Sequence, residues 1–252
     1  MAQACEHRVV DDENWNERVA RVYDFLDAEM FAPEVLEPTV AFLVRLARDG
    51  RALEFAAGTG RVTLALSAAG VDVAGIELST AMAAQLAGKP GAERVPVTIG
   101  DMATTRVEGS FRVVYLVYNT ITNLLTQDAQ VACFANAAAH LEPGGYFVIE
   151  VFVPALRRLP IGETRVAFDV SKRHLGVDTY DVVNQTLISH HSWHGAGHGS
   201  ISRSHHRYAW PAEYDLMARL AGMELHERWA DWRRNPFTAE STSHVSVWRR
   251  PS

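Results

Sequence analysis

Between residues 52 and 152, apolar and polar positions predict alternating strands and helices. Short apolar runs predict buried strands, and apolar residues spaced three or four positions apart predict helices. The expected strands span 52–57, 71–77, 95–99, 111–118 and 146–152, and the expected helices 61–69, 79–87 and 128–140. Strands that are apolar on both faces and separated by helices indicate a parallel sheet covered on both sides. The predicted fold class is α/β, with a doubly wound and mostly parallel sheet.

The residues on either side of this unit follow other patterns. Before it, helices are expected at 19–30 and 34–49. After Pro154, alternating polar and apolar residues predict antiparallel strands. These strands are expected at 166–170, 181–193 and 200–210, with a glycine-rich turn at 195–199. A helix at 211–221 and strands at 224–232 and 244–249 complete the pattern.

These patterns divide the chain into three parts. An N-terminal cap segment is expected at 1–33, and the sheet-containing core comprises 34–153 and 207–252. Residues 154–206 form a β-rich insertion after the fifth strand. We expect this insertion to lie over the open edge of the sheet as a lid above the substrate.

Composition and charge narrow the range of functions. The net charge of −6 and the absence of a basic run argue against a nucleic-acid partner. No apolar stretch approaches the roughly 20 residues that span a bilayer, and the charged first residues are unlike a secretory signal. Cys5 and Cys133 lie far apart, which favours a reducing compartment. We therefore expect a cytoplasmic protein without a membrane partner, and the sequence leaves a homodimer open.

Candidate chemistry begins where the first predicted strand ends. The segment LEFAAGTGR passes through Gly58 and Gly60, which permit a tight turn and let a ligand lie against the backbone. A dinucleotide fingerprint needs a glycine three positions after the second one, where this chain has Thr63. Ala56 stands where that fingerprint also has glycine. An NAD-type oxidoreductase is therefore the weaker alternative.

Three acidic residues accompany this turn. Glu77 closes the second strand, where a carboxylate can accept from both ribose hydroxyls of a nucleoside. Asp101 follows the third strand, where it can accept from the exocyclic amine of adenine. Glu54 lies inside the first strand, where an unpaired acid would be costly unless it anchors turn amides or faces an ammonium group. This order predicts a nucleoside site at the carboxyl edge of the sheet.

These features resemble the motifs of the class I S-adenosylmethionine-dependent methyltransferases, a Rossmann-like family. The resemblance covers about 35–153 and the C-terminal strand pair, through segments 53–60, 77–79, 100–102 and 140–145. It implies S-adenosyl-L-methionine as the cofactor, with the glycine turn under its methionine part, Glu77 on the ribose and Asp101 on the adenine. Ala56 replaces the family's usual first glycine, a small change in size. The implied cofactor-binding residues are Tyr23, Glu54, Ala56, Gly58, Gly60, Glu77, Leu78, Met82, Asp101, Met102, Val117 and Asn119.

The segment 118–124 and the insertion are similar to bacterial small-molecule methyltransferases, including the sugar-amine N-methyltransferases of antibiotic pathways. Tyr23 resembles the tyrosine that closes over the cofactor in that group. The resemblance implies transfer of a methyl group to a nitrogen or an oxygen of a small molecule. A non-catalytic nucleoside-binding protein of the same fold is a further alternative.

Catalytic candidates follow from the chemistry that methyl transfer requires. The protein must align the acceptor and exclude water, and an amine acceptor must lose its proton. The histidines of the predicted insertion that we consider as candidates are those at positions 190, 191, 194, 198, 205 and 206. We prefer His190 and His206, which could share a strand face with Ile188 and Tyr208, together with Tyr23 and Tyr118. No cysteine or paired acid joins the histidines, so no metal is expected.

Overall fold

The computed structural model describes residues 15–26, 28–172, 174–193 and 200–252. The helices of this part are α1 Glu17–Leu26, α2 Pro33–Ala47, α3 Arg61–Ala68, α4 Thr80–Ala87, α5 Gln127–His140 and α6 Pro211–Leu220. The first strands are β1 Ala52–Phe55, β2 Val73–Glu77, β3 Val97–Ile99, β4 Phe111–Leu116 and β5 Leu141–Phe152. The later strands are β6 Arg165–Val170, β7 His174–Asp181, β8 Thr186–Trp193, β9 Ser200–Arg207, β10 Glu224–Trp229 and β11 Ser243–Arg249.

Seven strands form the central sheet in the order β3-β2-β1-β4-β5-β11-β10. Strands β1 to β5 pair in parallel, whereas β11 runs antiparallel to β5 and to β10. The predicted mostly parallel, doubly wound sheet is therefore confirmed. The strand order reverses between β1 and β4, and the carboxyl ends of these strands open a crevice at such a point.

Helices cover both faces of the central sheet, which explains why its strands are apolar throughout. On one face, α5 and α6 bury Phe134 and Tyr214 against Phe147 and Trp248. On the other, α2 and α3 pack side chains such as Phe42 against the strands. Burial on both faces removes any polar alternation from β1, β2 and β4.

A separate antiparallel sheet of four strands, in the order β6-β7-β8-β9, lies in the chain between β5 and α6. Its Tyr180 and Leu187 pack with Tyr208, the residue after β9, beside Phe152 at the end of β5. Buried Arg207, at the end of β9, forms an ion pair with Glu213 of α6. This sheet corresponds to the predicted β-rich insertion.

The prediction of one strand over 181–193 is wrong, because two strands meet there. Strand β7 ends at Asp181, whose Oδ1 accepts from the amides of Val183 and Asn184. Gln185 then has a φ of 54°, and β8 begins at the next residue. An aspartate that bonds the backbone two or three residues later is a turn signal, and the sequence interpretation missed it. The predicted glycine-rich turn at 195–199 lies outside the described residues.

No helix in the described part of the chain is long and apolar enough to cross a membrane.

Candidate functional site

A cavity of about 980 Å³ lies at the carboxyl edge of the parallel strands. The central sheet supplies one wall through the segments that follow β1, β2, β3 and β4. Helix α1 and the four-stranded sheet supply the others. Its lining includes the sequence-predicted residues Tyr23, Ala56, Gly58, Glu77, Leu78, Met82, Asp101, Met102, Tyr118, Asn119 and His206. The structure therefore brings most of the predicted site together.

The two glycines of the turn after β1 have different roles. Gly58 has a φ of 58°, and a Cβ added there would meet no atom closer than the Ala56 carbonyl oxygen at 4.0 Å. Its bare backbone faces the cavity and leaves room for a ligand. Gly60 has a φ of 87°, and a Cβ there would lie 2.8 Å from Leu86 of α4. Gly60 is therefore a packing residue outside the cavity lining, and its contact with a ligand stays a prediction.

Ala56 occupies an unusual backbone conformation for its residue type. Its φ of 55° lies in the left-handed region, which costs an L-residue roughly 1–2 kcal/mol. The replacement of glycine by alanine was expected to matter little because a methyl group is small. The structure shows that the cost lies in the backbone rather than in the volume of the side chain.

Glu77 connects the turn to the next helix. Its Oε2 accepts from the Gly58 amide at 2.7 Å, and its Oε1 accepts from the Ser79 amide at 2.8 Å. Burial raises the pKa of this carboxyl, and the amide hydrogen bonds oppose that shift. Each carboxylate oxygen has a further lone pair. Glu77 can therefore hold the turn and accept from ribose hydroxyls at the same time.

Asp101 lines the same part of the cavity, one strand further from β1. Its Oδ1 accepts from the Ala103 amide at 2.7 Å, which fixes the carboxylate at the start of a turn. Gly100 and Met102 line the cavity on either side of it. The second oxygen of Asp101 can accept from an exocyclic amine, as the sequence predicts.

Glu54 faces away from the cavity, contrary to its predicted place in the site. It is 2% exposed and accepts from the hydroxyls of Thr63 and Tyr115, the latter at 3.0 Å. Burial raises its pKa to about 7, despite these hydrogen bonds. The Gly58 turn amide donates to Glu77 instead. Val117 is also buried beneath the lining, so neither residue provides a cavity surface.

Tyr118 and Asn119 follow β4 in strained backbone conformations. Their φ angles are 54° and 62°, and such conformations cluster at functional sites. The Tyr118 amide donates to the Glu150 carboxylate at 2.9 Å. The Asn119 Oδ1 accepts from the Phe152 amide at 2.8 Å. These bonds to the end of β5 hold both residues at the cavity wall.

Helix α1 is attached to the glycine turn and covers one side of the cavity. The Thr59 hydroxyl donates to Asp24 at 2.5 Å, and Lys89 forms an ion pair with Asp24. Lys89 also donates to the Thr59 carbonyl oxygen at 2.7 Å. These contacts place Tyr23 and Trp15 in the lining, and the covering role of Tyr23 stays a prediction.

The four-stranded sheet presents one face to the cavity, and His190 lies on the opposite face. The inward residues of β8 are Leu187, Ser189 and His191. The His190 ring instead lies 3.1 Å from the Thr179 hydroxyl. From the sequence, His190 is predicted to lie on the inward face together with Ile188. That assignment is wrong, because it is the odd-numbered residues of β8 that face the cavity.

His206 faces the cavity as predicted, and its hydrogen bonds define its protonation. The single hydroxyl hydrogen of Thr122 goes to the Asn119 carbonyl oxygen at 2.8 Å. Thr122 must therefore accept from His206 Nδ1 at 3.0 Å, which leaves Nε2 to accept from the Ser204 hydroxyl at 2.8 Å. Burial lowers the pKa of His206 to about 4, so its imidazole is neutral near pH 7. Both ring nitrogens are already engaged.

Asp178 is a cavity residue that sequence reasoning missed. Its Oδ1 accepts from the Ser189 hydroxyl at 2.6 Å, and burial raises its pKa. Within the described residues, no lysine or arginine forms an ion pair with it. The alternation of His174, Gly176, Asp178 and Tyr180 was the available signal, but β7 was not predicted.

The described residues contain no group of three or more His, Cys, Asp or Glu side chains placed to hold a metal ion. His194 and His198, two of the candidate histidines, lie outside the described residues.

Comparison with known proteins gives consistent matches. Residues 52–145 match a family model described as a methyltransferase domain. The cypemycin N-terminal methyltransferase of a Streptomyces species is 28% identical over 208 residues, covering 80% of this chain and 84% of that protein. The CcbJ methyltransferase from Streptomyces caelestis is 36% identical with a TM-score of 0.82, covering 93% of this chain and 96% of that one.

A more distant solved structure has the same fold. CalS10 from Micromonospora echinaspora, an amino pentose methyltransferase involved in calicheamicin biosynthesis, was solved with SAM bound. It is 22% identical with a TM-score of 0.67, covering 99% of this chain and all of that one. The shared architecture thus extends beyond the residues that the family model matches.

Proposed function

Because the chain belongs to the class I S-adenosylmethionine-dependent methyltransferases, we propose that it methylates an amine nitrogen of a small molecule. The family membership confirms the resemblance noted in the sequence and the cofactor that it implies. It leaves no support for an NAD-type oxidoreductase or a non-catalytic nucleoside-binding protein. The nature of the acceptor goes beyond that assignment and is argued from the cavity.

The residues at the sheet edge fit the cofactor. Gly58 provides an open backbone surface, and Glu77 and Asp101 provide carboxylate oxygens for hydroxyl and amine donors. We assign Leu78 and Met82 to the same part of the site, with Tyr23 covering it. When bound, S-adenosylmethionine supplies a methyl group on a positively charged sulfur, which keeps the electron pair of the broken bond. The protein has to position the acceptor and exclude water.

The dimensions of the cavity support a small-molecule acceptor. Small-molecule sites commonly occupy roughly 300–1,000 Å³. A cavity of about 980 Å³ has room for a cofactor and a modest second molecule. Helix α1 and the four-stranded sheet cover it on two sides, so a folded macromolecule would be kept from the interior.

Asp178 is the observation that favours nitrogen over oxygen. A carboxylate in a partly buried site is costly without a cation. Within the described residues this one accepts from one neutral hydroxyl, and His190 on the other face of the sheet is the further group that favours its charge. A protonated amine would supply the missing charge and hydrogen bonds before it loses its proton. A neutral alcohol could donate one hydrogen bond but would not supply the charge. The similar cypemycin enzyme is by name an N-terminal methyltransferase, which is consistent with a nitrogen acceptor here.

A paired acceptor screen tests this proposal. The purified protein is incubated with S-adenosylmethionine and matched primary amines and alcohols, and mass spectrometry detects methylated product. We expect methylated amines and unmodified alcohols. Asp178→Asn should raise the KM for the amine while leaving cofactor affinity by calorimetry unchanged, and Asp49→Asn, an exposed aspartate, is the control. Methylation of alcohols with amines left unmodified would contradict the proposal.

A further inference from the structure

A continuous line of three titratable side chains connects the cavity with the surface. His191, on the cavity wall, has its Nδ1 3.0 Å from His174 Nε2. His174 Nδ1 lies 2.6 Å from the Asp169 carboxylate. The two imidazole planes differ by 18°, with ring centroids 5.2 Å apart. The two rings therefore lie nearly in one plane and meet edge to edge through the hydrogen bond between their nitrogens.

The four-stranded sheet builds this line by its register. Asp169 of β6 pairs with Gly176 of β7, and Gly176 pairs with His191 of β8. His174 lies two residues before Gly176, on the same face of the sheet. A Cβ at Gly176 would overlap the ring of Phe168. The glycine therefore lets this ring lie against both imidazoles, at 6.0 and 5.4 Å.

The line is enclosed in the middle and open at its outer end. His174 is 6% exposed and stacks on Trp193 with a centroid distance of 4.0 Å. The Asp169 side chain is 40% exposed and reaches solvent. A proton on Asp169 can therefore exchange with water, whereas the partners that the described residues offer to a proton on His174 are Asp169 and His191.

The proton positions follow from the acceptor at the end of the line. The Asp169 carboxylate accepts from His174 Nδ1, so a neutral His174 has an unprotonated Nε2. That nitrogen accepts from His191 Nδ1, which leaves His191 Nε2 unprotonated. Burial, and next the neighbouring His174, lower the pKa of His191 and favour this neutral form.

We propose that His191 accepts the proton that the bound amine must lose before methyl transfer, and that His174 and Asp169 pass a proton on to solvent; this rests on the proposed function. The acceptor N–H bond breaks, its electron pair stays on nitrogen, and the proton binds His191 Nε2. The Nδ1 proton of His191 moves to His174 Nε2, and the Nδ1 proton of His174 moves to Asp169. Asp169 releases it to water, so one proton leaves in that turnover. Both imidazole rings are then protonated on Nε2, and each must turn over to restore its Nδ1-protonated form before the next turnover.

His191 suits this role better than the other cavity histidine. Both nitrogens of His206 are hydrogen-bonded to Thr122 and Ser204, so a proton accepted there has no exit through these contacts. Of the two histidines in the described cavity lining, His191 is the one with an imidazole partner that leads outward. It is thus the catalytic residue of the line, and His174 and Asp169 are positioning residues that act through it.

The first test reads the protonation states without turnover. Nitrogen NMR of the cofactor-free protein should show His191 and His174 as Nδ1-protonated tautomers. Asp169→Asn should change the His174 signals and lower the pKa measured for His191, because a negative charge is removed from the line. Unchanged signals would overturn the proposal. The fit of the His191 titration must include the titratable groups on the surrounding strands, which are Asp169, His174, Asp178, His190 and His206.

The second test follows single-turnover methylation against pH. His191→Gln should slow the step by about 10²- to 10⁴-fold, the range for a lost general base, and imidazole should restore part of the rate in His191→Ala. Asp169→Asn should move the rise of the rate to lower pH and lower its plateau. If Asp169 had a purely structural role, Asp169→Asn would lower the plateau of the rate without shifting the pH at which the rate rises. His205→Gln, on the outer face of β9, is the matched control.

The outcomes separate the relay from the function on which it rests. If wild-type protein binds the cofactor but methylates no amine, the proposed function fails. If it methylates an amine and His191→Gln does so at the same rate, the relay alone is overturned. Calorimetric cofactor binding and thermal unfolding of each variant show that a lost rate is not lost folding.

Discussion

Glu54 gives the folded state a specific pH dependence. Its pKa is about 7 in the folded protein against 4.5 for a solvated glutamate. Between these values the folded protein keeps the proton and the unfolded chain does not. Stability from this group is therefore complete below pH 4.5 and is lost as the pH rises through 7. This difference between the two pKa values corresponds to about 3 kcal/mol in the free energy of unfolding.

Replacing Glu54 by glutamine isolates this effect. The amide oxygen can still accept from Thr63 and Tyr115, as the protonated acid does. Because the amide does not ionise, the variant should lose that part of the pH dependence. The quantity to follow is the free energy of unfolding of the wild type minus that of Glu54→Gln. We expect this difference to fall by about 3 kcal/mol as the pH rises from 4.5 to 7.

Urea denaturation in a pH series measures this difference. The exposed Glu163→Gln is a control whose stability should run parallel to that of the wild type. A difference that stays flat, or that grows as the pH rises, would refute the buried, proton-holding state of Glu54. The assay needs no substrate and is independent of the proposed acceptor.

The glycine turn supplies the remaining predictions. Ala56→Gly should stabilise the protein by about 1 kcal/mol, seen as a higher melting temperature, because glycine tolerates the positive φ. Gly58→Ala should mainly weaken cofactor binding in calorimetry, whereas Gly60→Ala should mainly lower the melting temperature through its clash with Leu86; the reverse pattern would contradict the assignment. Glu77→Gln should lower both affinity and stability, since only one oxygen remains for two amides; a loss of affinity alone would show that it does not support the turn.

The sequence predicts the core well because its physical signals are strong there. Buried strands, the glycine turn and the acids after β2 and β3 lie where hydrophobic pattern and strand ends place them. Glu54 could not be oriented from sequence, because β1 is buried on both faces and its pattern does not say which face a side chain takes. Its partners Thr63 and Tyr115 come from α3 and β4, and only the fold brings them together.

The four-stranded sheet was harder to predict for a different reason. One face is partly exposed, and the other lines a cavity with side chains such as Ser189 and His191. Both faces therefore carry polar residues, and alternation cannot distinguish His190 from His191. Asp178 was missed along with its strand, whose turn signal at Asp181 is local and unrelated to hydrophobicity.

The four-stranded sheet has a consequence for engineering. It is one uninterrupted stretch of chain between β5 and α6, anchored where Arg207 meets Glu213, while the turn and acids assigned to the cofactor come from earlier segments. A chimera that receives this stretch from a related enzyme, with the anchoring pair retained, should therefore acquire a new acceptor preference and keep its original donor affinity.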